Sequence, residues 1–177
     1  MNTSGTYQIG PHNGRLLIRT FREGVASMVG HDLVIEATSW RGTVTVPEGG
    51  QPHIAVEVDV RSLEIREGLR GAKPLSDKDV RDIKETMADL LGAEYHPLVS
   101  YVSNSVQVMG SSATADGQFT LLGITQPLRL ALQVQDGVVT ATTTVQQSLW
   151  GIKPFKAFMG ALKVRDDVEV EATVRLG

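Results

Sequence analysis

The chain has 177 residues, 41% of them hydrophobic, with a formal net charge of -3 and a sequence pI near 5.8. That size and composition suit one globular domain; they supply no basic field for nucleic acid, and no run of Lys and Arg interleaved with aromatics supplies one locally. With no cysteine there are no disulfides, thiol nucleophiles or thiolate metal sites, and with neither a membrane-length apolar run nor the charged and apolar regions of a signal peptide at Met1 to Thr6, the sequence predicts a soluble, cytoplasmic protein.

Taken in chain order, the dominant period is two. Strands are expected at about 6–9 and 14–20, at about 33–46 with a break near Arg41-Gly42, and at about 53–60. In the last of these Ile54, Val56, Val58 and Val60 alternate with Ala55, Glu57 and Asp59, which turns one face to a core and the other to water. A helix follows over 77–91. Ser76 supplies an N-cap hydroxyl, Asp77 and Asp79 complement the helix dipole, and Gly92 supplies a stop. Val80, Ile83, Met87, Leu90 and Leu91 share one face of it, whereas Asp77/Arg81 and Lys78/Asp82 make the opposite face a solvated one. At 1.5 Å per residue the helix spans about 22 Å, long enough to cross one end of a small barrel as a plug or lid.

Beyond the helix, alternation returns at about 98–108, 113–122, 127–135, 138–147 and 162–175. Asp136-Gly137 is a hairpin turn signal, and Asp116-Gly117 inside a strand pattern reads as a turn or a bulge. About eight antiparallel strands with one helix make an all-β closed barrel or a sandwich. Between two of these strands, Gln147 to Lys163 gathers Trp150, Phe155 and Phe158 with Lys153, Lys156 and Lys163. Two readings stand: a loop whose aromatics tuck into the core, or a ligand mouth with apolar walls and ammonium groups at the rim.

The chemistry-bearing residues give little catalytic signal. His12, His31, His53 and His96 lack metal-ligand spacing, so no metal and no cofactor is expected. Ser148 has no Gly-x-Ser-x-Gly context, and no catalytic residue or enzymatic activity is expected. After Gly30, the pair His31-Asp32 reads as a turn or bulge in which the Asp carboxylate holds backbone amides, with a polar contact at a cavity entrance as the alternative.

Several motifs taken together resemble the YceI-like family. They are the strand opening after Pro11-His12, the helix leading into His96-Pro97-Leu98-Val99-Ser100-Tyr101, the segment Leu121-Leu122-Gly123-Ile124-Thr125-Gln126-Pro127-Leu128, and the late pair Trp150-Gly151. The order and spacing match over nearly the whole chain. Asn13 stands where the family has Ser, Phe21 where a second His falls, and Tyr101 and Trp150 where it has Phe.

The resemblance implies a lipocalin-like antiparallel β-barrel of about eight strands with one helix packed at an end. It also implies binding of a polyisoprenoid, isoprenoid quinone or other lipid without catalysis, often as a homodimer. The candidate apolar wall is Val58, Met87, Leu90, Tyr101, Phe119, Trp150, Phe155 and Phe158, and the candidate rim for a head group is His31, Lys153 and Lys156. A dimeric interaction module without a ligand, and a small hydrolase or isomerase, are the other classes the sequence leaves open.

Overall fold

The computed structural model describes residues 4–177. Strands β1 (Gly5–Ile9), β2 (Gly14–Thr20), β3 (Arg22–Glu23), β4 (Asp32–Ala37), β5 (Trp40–Val46), β6 (His53–Asp59) and β7 (Leu63–Leu69) precede the helix α1 (Asp77–Leu90). After it come β8 (Leu98–Met109), β9 (Ser112–Leu121), β10 (Ile124–Gln135), β11 (Val138–Gln146), β12 (Lys156–Ala157), β13 (Leu162–Val164) and β14 (Asp167–Arg175). Eleven strands form one curled antiparallel sheet in the order β1-β5-β6-β8-β9-β10-β11-β14-β2-β4-β7, and β12, β13 and β3 form a small second one.

The large sheet wraps back on itself through one bent hairpin. β4 runs into β5, and β6 into β7, across a corner where the Thr38 and Asp59 amides donate to the Ser62 and Ser39 carbonyls at 3.1 and 3.0 Å. Below the corner β4 pairs with β7 and β2, and above it β5 pairs with β6 while β6 pairs with β8. Counted as continuous bent strands, these pairings close a ring of eight, with β1 an added edge on β5. The break in the 33–46 run therefore falls at Thr38-Ser39, not at Arg41-Gly42. The expected 53–60 strand also continues past its corner into β7, with its Leu-Glu-Ile-Arg alternation, beyond the expected end.

Turn chemistry sets the registers. Asp136 and Gly137 both have positive φ (51° and 77°) in a two-residue turn, the mirror-image geometry whose twist matches the strands it joins. Asp116-Gly117 continues β9 opposite a register shift at Ser103/Ser105 of β8, so the strand stays whole and the irregularity is a bulge. Gly117 is required there, because an added Cβ would lie 2.5 Å from the Val102 carbonyl oxygen and 2.6 Å from the Tyr101 ring.

The expected 162–175 strand is interrupted at Arg165-Asp166 and so divides into β13 and β14, and the aromatic loop before it carries β12. Ladders this short depend on distant partners: β13 pairs with β3, and the Arg165 guanidinium stacks 4.5 Å over the Phe21 ring.

α1 is capped by Ser76 and Asp79 in a reciprocal box, with Asp79 accepting from the Ser76 amide at 2.9 Å. Those hydrogen bonds hold the Asp79 carboxyl below its ordinary value. The helix lies against β7, tied by Lys84 to Glu64 at 2.9 Å, and Val80, Ile83, Met87 and Leu90 are half-buried. No helix residue is fully buried, as befits a helix covering a sheet edge. Among the described residues no helix is long and apolar enough to cross a membrane.

Candidate functional site

The period-two strands send every second residue inward, and the inward set does not fill the space it encloses. A cavity of about 250 Å³ remains in the barrel. Its wall is built by parity: Ile54, Val56 and Val58 from β6, Leu128, Leu130 and Leu132 from β10, Val139 and Ala141 from β11, and Val168, Val170, Ala172 and Val174 from β14. No charged side chain lines it. Filling such a space would need larger residues than Val and Ala, and an apolar void of this kind stays dry until an apolar molecule enters.

Polar groups in the wall are few, and most are already engaged. The Tyr101 hydroxyl donates at 3.3 Å to the carbonyls of Ala115 and Leu128. Burial, with a smaller contribution from the Asp116 carboxylate, pushes its pKa up to about 12. Trp40, a wall residue only 6% exposed, has an indole N–H that is buried without a hydrogen-bond partner. An orphaned buried donor costs about 1–3 kcal/mol relative to a satisfied one.

The sequence-derived candidates divide. Val58, Tyr101 and Phe119 line the cavity. Trp150 is 1% exposed but stands behind the wall, edge-on to Phe119 with ring centroids 5.3 Å apart, its indole N–H donating to the Phe119 carbonyl at 3.0 Å. Met87 and Leu90 are not in the wall; Leu91, at the helix C-cap, is the residue from this segment that reaches it.

Phe155 and Phe158 are exposed. His31, Lys153 and Lys156 also lie outside the wall. His31 packs against Gly71 and shares a hydrogen bond with the Lys73 carbonyl, while the buried Asp32 accepts from the Arg22 amide at 2.9 Å and pairs with Arg70 at 3.3 Å. The His31-Asp32 pair is thus a loop-building element.

Missed from sequence were Trp40, Leu130, Leu132, Val139, Ala141 and the β14 residues. Their signal was the alternation itself, which marks small inward residues as clearly as large ones. Aromatic bulk drew attention to the loops instead. A separate polar depression beside Thr6, His12, Asn13 and Arg175 is open to solvent and offers an apolar molecule little cover.

A family model described as a YceI-like domain matches residues 7–176. Comparison with curated proteins gave no match. Among solved structures, Burkholderia cenocepacia BcnA is similar over 94% of this chain and 98% of its own, with a TM-score of 0.68 and 12% identity. The Campylobacter jejuni YceI protein is similar over 79% and 81%, with a TM-score of 0.58 and 9% identity. At these identities the likeness is one of fold.

Proposed function

The chain belongs to the YceI-like domain family, and from that membership together with its cavity we propose that it binds a slim, uncharged, long-chain apolar molecule, of isoprenoid or other lipid type, in the barrel interior. The observation that carries the reading is the wall: apolar side chains from β6, β10, β11 and β14 enclosing space with no charged group among them. A volume of about 250 Å³ lies just under the usual range of small-molecule pockets, roughly 300–1,000 Å³, and admits one segment of a slim chain.

Each CH₂ transferred from water into the wall contributes about 0.8 kcal/mol before ordering costs, so affinity needs no polar contact. Orientation does. A neutral oxygen, such as a hydroxyl or a quinone carbonyl, would satisfy the unpartnered Trp40 indole N–H. A pyrophosphate has no counter-charge in this wall, and burying one there would be costly. Binding and carriage, with no chemistry performed on the ligand, is the role this supports.

Native mass spectrometry of gently purified protein tests the proposal. Bound apolar mass is expected with the parent, and loss of that mass with Ala141→Phe, which places a ring in the cavity while leaving the outer face of β11 unchanged. If the parent carries no apolar mass and takes up neither a polyprenol nor a quinone when offered, the carrier role fails and a ligand-free interaction module replaces it.

A further inference from the structure

Exposed large apolar side chains gather where three loops meet. Val25 is 95% exposed, Met159 fully so, and Met28, Val29 and Phe158 are exposed beside them. The loops are stitched to one another: the Ala26 amide donates to the Ala161 carbonyl at 2.8 Å, the Ala72 amide to the Met28 carbonyl at 3.0 Å, and β3 pairs with β13. The patch is therefore a built surface. It sits at the end of β2 that carries Thr20, the end opposite Gly14 and Trp40.

Backbone strain points the same way. Phe158 and Met159 have φ of 52° and 56°, the left-handed region that side chains avoid. The hairpin loop between β12 and β13 sets this geometry, but it does not call for two large apolar side chains, which here are turned to solvent.

Charge then selects the occupant. In these loops Glu23 and Asp32 are paired, with Lys163 and Arg70. Lys73, Lys153 and Lys156 are exposed and have no ion pair among the described residues. Apolar side chains on loops that also carry unpaired ammoniums suit an interface where acyl chains lie beneath anionic phosphates; a second copy of the same patch would bring like charges together.

We propose that this end of the barrel docks reversibly on an anionic lipid surface. Val25, Met28, Phe158 and Met159 enter the headgroup boundary, and Lys73, Lys153 and Lys156 meet the phosphates. Lys153 and Lys156, which sequence placed at a ligand rim, thereby serve the membrane instead.

Vesicle flotation tests this, separately from whatever occupies the cavity. The protein should float with vesicles of phosphatidylcholine mixed with phosphatidylglycerol, far less with phosphatidylcholine alone, and recovery should fall as salt rises. Exchanging Lys73, Lys153 and Lys156 for Gln should weaken binding by about five-fold per lysine. Phe158→Asn with Met159→Asn should abolish it while leaving the melting transition unchanged or raised, because Asn tolerates positive φ. Absence of flotation with the anionic vesicles, or binding indifferent to the lysines, overturns the proposal. So does sedimentation showing a dimer that the Asn pair dissociates without any vesicle binding, an outcome that assigns the patch to a second copy.

Discussion

At the scale of single residues, Tyr101 reports on the interior. Its phenol is neutral and buried, and its raised pKa means that ionisation is opposed by the folded state. The stabilisation is fully present below the ordinary tyrosine value of about 10 and is lost as pH climbs towards about 12. Absorbance titration should show a late phenol ionisation that is missing in Tyr101→Phe; the absence of any late step in the parent would contradict the burial described. The alternation of β8 and the swap of Phe for Tyr made this residue legible from sequence. Trp150 was legible only as buried mass, because its place behind Phe119 depends on a hydrogen bond to a carbonyl of another strand.

Elements differ in how locally they are encoded. α1 is announced by Ser76-Asp77-Lys78-Asp79, and the cap forms as the side chains dictate. Ser76→Ala should cost about 1 kcal/mol, read from the midpoint of a urea transition. It should leave ligand uptake unchanged, since the helix covers β7 and only Leu91 touches the cavity. A parallel loss of uptake would restore the helix to the role of a lid. By contrast the Leu122-Gly123 turn carries no local signal at its first position: Leu122 takes φ of 55° and its side chain packs against Gly92. β12 was equally hidden, because a strand of two residues carries no period; it is held by β13, which pairs in turn with β3, far away in sequence.

For the molecule as a whole, closure was readable as a count of about eight strands but not as a path. The path depends on the Thr38/Ser62 and Ser39/Asp59 hydrogen bonds at the corner, long-range pairings that no window of sequence displays. The same limit applied to the cavity: each strand's parity was visible, whereas the shortfall between enclosed space and side-chain volume belongs to the assembled ring. Val58, Tyr101 and Phe119 were accordingly named for the wall and do line the cavity, whereas Trp40, Leu130 and Leu132 and the smaller residues of β11 and β14 were visible only as parity.

That room has a volumetric consequence. A folded protein holding some 250 Å³ of dry space occupies more volume than its unfolded chain, so compression favours unfolding. Under hydrostatic pressure the ligand-free protein should unfold earlier than Ala141→Phe, and earlier than the protein filled with a polyprenol, as followed by tryptophan fluorescence in a pressure cell. Equal midpoints for all three would mean that the interior collapses or wets when empty. A graded order would make pressure a gauge of how completely any given molecule fills the barrel.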